Sequence, residues 1–408
     1  MKNIFLALLF LVAGTSQAQI FKASEKENDL KLASLPYYSY GKGLGMTSAD
    51  SIFQLNIRFR MQNRVTVYGE DGEDTKYDAH IRRLRLRLDG YVGNPHFLYV
   101  LQLSFAPGDV GAVEEGKNLN IIRDAALIYQ PNKHWSFTFG QTKLPGNRQR
   151  INSSGALQLT DRSINNAKFN IDRDFGVQAY YLHEFKDKFS YNIKTAVSSG
   201  QGRNWTGKAT DSYALTGRVE LFPMGTFSKG GAYYEGDLAR ESSLKTMFSA
   251  TYYHNNNAKQ SQGQLGDQLY QDKNFDGLLV DFIGKYNGWA AMASYMNRMS
   301  DDPIAYQNPN DINSDFNYVF AGSGMDYQLS YIFPSNYEVI GRFSNQRMND
   351  KLFEKNLPNT NQYSIGVTKY FWEHTFKIQS ELTFDELQFH NGATKNNWYF
   401  RMQFEIGI

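Results

Sequence analysis

Between Ile81 and Asp89 the chain reads Ile-Arg-Arg-Leu-Arg-Leu-Arg-Leu-Asp, a two-residue period. It puts Arg83, Arg85 and Arg87 on one face of a β-strand and Leu84, Leu86 and Leu88 on the other. The preceding segment repeats the pattern, with Phe53, Leu55, Ile57, Phe59, Met61, Val65 and Val67 on its odd face and Gln54, Asn56, Arg58, Arg60, Gln62 and Arg64 on its even one. Paired as a hairpin across Gly69 to Asp78, the two strands share an apolar face and an arginine-rich face, where like charges oppose one another unfavourably. One face therefore calls for water and anions, and the other for a hydrocarbon cover.

The same period continues along the chain in about sixteen segments of about 8 to 17 residues, the length of tilted strands in an outer-membrane barrel. Examples are Phe97 to Phe105, Phe189 to Val197, Tyr213 to Leu221, Val280 to Tyr286, Tyr337 to Phe343 and Phe376 to Phe384. No long stretch has helical periodicity, and none approaches the roughly 18 consecutive apolar residues of a membrane-spanning helix. The connections alternate between tight turns, such as Asn287-Gly288 and Pro334 to Asn336, and roomy polar loops, such as Asp71 to Asp78, Asn255 to Phe275 and Met299 to Asn317. A transmembrane barrel has this asymmetry, with short periplasmic turns and long external loops. Pro223 to Ser243 is a long segment on the short side, and spacing alone gives no account of it. The final strand alternates strictly from Trp398 to Ile408, which suits closure of a barrel whose backbone groups must all be paired in lipid.

The N-terminus supplies the matching address. Lys2, the apolar run Ile4 to Ala13 and Ser16-Gln17-Ala18 form the three parts of a secretory signal peptide over residues 1–18, so export to the bacterial outer membrane is expected. Residues 19–51 read as a polar extension with Tyr37, Tyr38 and Tyr40 near a rim, and residues 52–408 as the barrel. The absence of cysteine excludes disulfides and thiolate metal sites, and the formal net charge of +2 does not favour nucleic acid as a partner. The expected fold is all-β, a 16-stranded antiparallel transmembrane β-barrel lined by water and covered by outer-membrane lipid and lipopolysaccharide.

A barrel of about sixteen strands leaves an aqueous channel, so selectivity depends on what narrows it. The longest stretch without alternation runs from Thr142 to Asp172 and carries Lys143, Arg148, Arg150, Arg162 and Lys168, followed by Arg173, with Asp161 and Asp172 opposing. Folded inward over about 142–173 beside Arg58, Arg60, Arg64, Arg83, Arg85 and Arg87, it makes a cationic constriction of the kind that selects anions. Guanidinium groups also match the oxygens of phosphate bidentately.

Several motifs in this region have a known counterpart. Gly140-Gln141-Thr142-Lys143-Leu144-Pro145, Ser153-Ser154, Asp161-Arg162-Ser163 and Arg173-Asp174-Phe175-Gly176-Val177, with Arg82-Arg83 and Arg123-Asp124-Ala125 upstream, resemble the phosphate-selective porin O and P family in its Bacteroidetes branch. The resemblance implies a homotrimer of anion-transporting barrels, each with an inward loop and basic ladders leading to a central anion site. Carried over residue by residue, that site draws on Arg82, Arg83, Asp124, Arg150, Ser153, Ser154 and Arg162, with phosphate or polyphosphate as substrate, no cofactor and no catalytic chemistry. Strand parity points Arg83 inward and Arg82 outward, so both face the site only if a bulge intervenes.

Other readings are weaker. Asp272 to Gly277 begins like a calcium loop, but Ile283 stands where the closing glutamate belongs, and an Asp-Gly turn in an external loop is expected instead. The seven histidines show no ligand spacing, and no Ser-His-acid arrangement of a barrel hydrolase is legible. A non-selective or sugar-permeable porin, and a structural or secretion-partner barrel, remain the alternative functions.

Overall fold

Alternation at every second residue leaves each strand with one face that water rejects, and the strands solve this by closing on themselves. The computed structural model describes residues 43–110, 120–204 and 211–408; the expected signal peptide and most of the expected extension lie outside them. Sixteen antiparallel strands form the barrel. They are β2 (Phe53–Glu70), β3 (Lys76–Val92), β4 (Asn94–Ser104), β5 (Ile122–Tyr129), β6 (Trp135–Lys143), β7 (Arg173–His183), β8 (Ser190–Ser198) and β9 (Tyr213–Phe222). The second half comprises β10 (Lys245–Gln260), β11 (Gln268–Tyr286), β12 (Trp289–Met299), β15 (Gly322–Ile332), β16 (Tyr337–Met348), β17 (Asn359–Trp372), β18 (Phe376–Gln388) and β19 (Thr394–Gly407). Within the connection after β12, β13 (Ile304–Tyr306) and β14 (Phe316–Tyr318) make a small separate hairpin.

Closure comes from β19 against β2, in register from Asn397↔Glu70 to Gly407↔Arg60. Because β19 stops there, the backbone of β2 from Gln54 to Ile57 would be left as an open edge. A strand not expected from the sequence, β1 (Leu44–Thr47), covers it with the pairs Leu44↔Ile57 to Thr47↔Gln54. It lies inside the stretch read as a polar extension.

The outer surface is apolar, and its turn end carries a belt of aromatic contacts that includes Phe97 with Tyr129, Trp135 with Tyr181, Trp289 with Tyr331 and Phe376 with Phe404. Aromatic girdles at this height mark the interfaces of outer-membrane barrels. The loop expected from Asn255 to Phe275 is shorter than the sequence suggests, because β10 and β11 continue to Gln260 and from Gln268. Asp276-Gly277 therefore sits within β11, paired with His254 and Tyr253, and not in an external turn. Gly277 is needed there because any Cβ would overlap the ring of Tyr253 at 2.1 Å.

The connection between β6 and β7 folds into the lumen, and the far wall of the barrel grips it. Asp281 accepts from the backbone N–H of Arg148 at 3.0 Å, Asp326 from Ser163 Oγ at 2.8 Å, and Glu381 from Thr160 through both its N–H and its hydroxyl. Lys377 donates to the carbonyls of Gly155 and Leu157. The short helix Ile164–Phe169 ends against Arg298, which donates to the carbonyls of Lys168, Phe169 and Asn170 and so caps the helix C-terminus. Phe169 and Ile171 then bury into an apolar cluster inside the barrel with Tyr253, Phe275, Met296 and Phe320.

Pro223 to Ser243 has its account here. It turns inward from the opposite end of the barrel, forming a 3-10 turn over Ser228–Tyr233. There it meets the loop: Glu235 accepts from the backbone N–H of Gln158 at 2.9 Å and from the Gln149 amide at 2.8 Å. The two segments thus interlock inside the barrel.

Asp281 also carries Arg218 Nη1 at 2.9 Å, so its loss removes a loop anchor and half the pairing of a buried guanidinium. Asp281→Ala should cost about 3 kcal/mol and lower the temperature at which the folded band is lost in a heat-modifiability gel. Unchanged heat resistance together with unchanged single-channel current noise would show that the loop is held by other means.

Candidate functional site

In the pairing of β2 with β3, Arg58 lies directly opposite Arg87, and Arg60 directly opposite Arg85. Each like-charge pair has an acceptor between its members. Asp89 takes Arg58 Nη2 at 2.9 Å and Arg87 Nε at 3.0 Å, while Ser154 Oγ takes Arg60 Nη2 at 2.7 Å and Arg85 Nη1 at 3.0 Å. Ser153 Oγ accepts from Arg60 Nη1 at 2.9 Å. The inward loop thus brings its two serines to the arginine wall.

Above this point the register slips: Gln62 pairs with Arg83 and Asn63 with Ile81, leaving Arg82 as the extra residue of a bulge. The bulge aims Arg82 and Arg83 together at Asp161, at 3.0 and 2.9 Å, and Arg64 reaches the same carboxylate at 2.6 Å. Asp109, on the turn Pro107–Val110, gathers Arg85 at 2.5 Å and Arg123 at 2.9 Å. Asp172 gathers Arg150 at 2.7 Å and Arg173 at 3.5 Å.

Burial opposes ionisation of Asp161, but the guanidinium groups of Arg83, Arg82 and Arg64 outweigh it and hold its carboxyl well below the ordinary 3.8. Burial likewise opposes ionisation of Asp172, where Arg150 and Arg173 hold the carboxyl well below that value. Charge pairing wins over desolvation in both.

These side chains enclose two adjoining cavities. The inner one, of about 60 Å³, is lined by nine basic residues, among them Arg58, Arg60, Arg87, Lys143 and Arg173, together with Ser153, Ser154 and Gln102, and by no acidic side chain. The outer one, of about 480 Å³, holds eight arginines, including Arg82, Arg83, Arg203 and Arg401, and the four carboxylates Asp109, Asp161, Asp172 and Asp385. Arg85, Arg123, Arg150 and Arg162 line both and form the waist between them. Arg123 Nε is buried there without a hydrogen-bond partner among the described residues.

Most residues singled out in the sequence converge here, and three do not. Asp124 is 1% exposed and lies behind the wall, held by Arg173 at 2.9 Å and Thr142 at 3.0 Å, so it orients Arg173 and does not face the cavity. Arg148 points away, donating to the carbonyls of Ala232 and Tyr234 and to Met292, and ties the loop to the inward segment 223–243. Arg64 is held by Asp161, Gln403 and the carbonyl of Thr160, and stands behind the outer cavity. Arg123 and Arg203 were missed as site residues; Arg123 is the inward neighbour of Asp124 on a short strand, and Arg203 belongs to a loop without alternation.

The sequence pattern of the phosphate-selective porin O and P family matches residues 55–265, which span the arginine strands, the inward loop and the strands that follow it. The chain belongs to that family. No curated protein matches it. Among solved structures, the outer-membrane channel DcaP of Acinetobacter baumannii is 16% identical, with a TM-score of 0.53 over 89% of this chain and 99% of that one. OmpF of Salmonella typhi, solved in complex with daunomycin, is 12% identical, with a TM-score of 0.53 over 88% of this chain and 100% of that one. At such identities the likeness shows the fold alone, an outer-membrane porin barrel.

In this porin the two loop aspartates have lowered values, so their stabilisation is complete above the ordinary 3.8 and is lost only as pH falls well below it. Conductance should therefore stay flat from neutral pH down to about pH 4. A transition near pH 5 in single-channel records would show that these carboxylates are not held by the arginines.

Proposed function

We propose that this porin passes small anions passively across the outer membrane, and that tetrahedral oxyanions of the phosphate kind bind transiently at its arginine waist. The observation that carries this is the inner cavity, where nine basic residues face one space with no acidic side chain among them. Rings of one charge sign at a constriction select ions of the other, provided binding is weak enough for release. The outer cavity, with carboxylates beside its arginines, serves as an entry zone of moderated potential. The family membership and the inward loop support the reading. The signal peptide and the homotrimer that the resemblance implies belong to the same proposal, and complex size in mild detergent tests the latter.

The test is a planar bilayer experiment with the purified protein. A chloride gradient should give a reversal potential of anion sign, and added phosphate should block the chloride current. Arg85→Ala removes a waist guanidinium whose contact with a charged oxygen is worth about 1.5–3 kcal/mol, so phosphate block should weaken roughly tenfold or more. Cation preference would sink the reading. Silence of the well-folded protein would favour a structural barrel.

A further inference from the structure

The inner cavity has a second property that its charge alone does not convey: every side chain that lines it and has a fixed hydrogen-bonding role is a donor. Of the carboxylates that neutralise its arginines, Asp109 and Asp172 border the outer cavity, and Asp89 and Asp124 stand behind the wall. Asp89 is 0% exposed and Asp124 is 1% exposed, and neither lines the cavity. The two serine hydroxyls have no acceptor capacity to spare. Ser154 Oγ accepts from Arg60 and Arg85, and Ser153 Oγ accepts from Arg60 and from the backbone N–H of Gly155. With both lone pairs engaged, a hydroxyl has only its proton to offer. Lys143 is anchored through the carbonyls of Ile151 and Asn152, and Arg162 through those of Gln149 and Asn152, so those backbone acceptors are taken too. Gln102 is the remaining neutral polar side chain of the lining, and its amide can present either end.

From this we infer that the inner site is built for tetrahedral oxyanions that carry no proton, the sulfate class, in preference to hydrogen phosphate. The inference rests on the anion-channel reading above and names its substrate class. Hydrogen phosphate brings one P–O–H group, and among the described side chains that line the cavity the Gln102 amide oxygen alone is left to accept its proton, against nine basic residues that donate. Sulfate has four acceptor oxygens and no such proton. The outer cavity differs because Asp385, Asp161 and Asp172 border it, so an entering hydrogen phosphate finds acceptors there that it loses at the waist. A site whose polar groups match one ligand and oppose another discriminates strongly between two anions of the same charge and shape.

The experiment uses the full porin in a planar bilayer, at a pH above the second ionisation of phosphate so that all probes are divalent. The anion sign of the reversal potential is established first in chloride. Block of the chloride current is then titrated with sulfate, hydrogen phosphate and monofluorophosphate. The last replaces P–O–H by P–F and keeps the tetrahedral phosphoryl group. Sulfate and fluorophosphate should block with similar affinity, each about tenfold tighter than hydrogen phosphate. Gln102→Glu, which sets a carboxylate acceptor into the inner cavity, should narrow or reverse that ratio while the protein keeps its heat-modifiable folded band. Hydrogen phosphate blocking as tightly as fluorophosphate overturns the inference, as does fluorophosphate following hydrogen phosphate while sulfate alone is tight. In both cases anion selectivity still stands. Cation preference in chloride alone overturns the parent reading as well.

Discussion

The whole interior is organised by one electrostatic problem: two strands that must pair place Arg58 opposite Arg87 and Arg60 opposite Arg85. Like charges at that spacing disfavour the hairpin unless something with oxygen lone pairs stands between them. The barrel wall supplies Asp89 for the first pair, but among the described residues no wall side chain bridges the second, and the inward loop brings Ser154 to it. Asp109, Asp161 and Asp172 do the same for the surrounding arginines from turns and loops, not from strands. A loop that solves the charge problem of the wall is held where it narrows the lumen, so the contacts that fold the wall are also those that place the constriction.

The opposite wall completes the arrangement by inverting it. Asp281, Asp326 and Glu381 point inward from β11, β15 and β18 and accept from loop backbone and side chains. The loop is thus stretched between the arginine wall, which Ser153 and Ser154 face, and a wall whose carboxylates take its donors while Lys377 and Arg298 take its carbonyls. Apolar packing of Phe169 and Ile171, and the segment 223–243 rising from the other end, fill what remains of the acidic half. Ions are left one side of the barrel, and it is the arginine side.

The period-two alternation made the faces legible, because burial follows parity along much of β2 and from Arg82 to Asp89 of β3. Parity also showed that Arg82 and Arg83 could meet only through a bulge, and the slip at Gln62 and Asn63 supplies it. What stayed hidden depends on contacts across the lumen. Nothing in the spacing of Pro223 to Ser243 tells that Glu235 will cap the loop at Gln158, and the apolar cluster around Phe169 draws on elements spread along the chain from β8 to β16. Arg148 and Arg150 look alike in sequence, yet one turn of helix sends the first to the carbonyls of the inward segment and the second to Asp172. The resemblance carries Asp124 into the site, but whether a carboxylate faces the lumen or stands behind it is not written in the sequence; here its pairing with Arg173 and Thr142 holds it behind the wall.

Arginine, and not lysine, suits this waist for a reason that follows from its geometry. A lysine ammonium that is anchored by two carbonyls, as Lys143 is, has one proton left to turn toward the lumen. A guanidinium held by Nε and one Nη, as in Arg150 with Asp172 or Arg162 with loop carbonyls, is fixed in position and still presents its other nitrogen. The waist therefore combines rigid placement with donors in reserve, and Asp109 and Asp172 partly neutralise Arg85, Arg123 and Arg150. On the proposed anion-channel reading, that is the balance between binding and release that conduction requires.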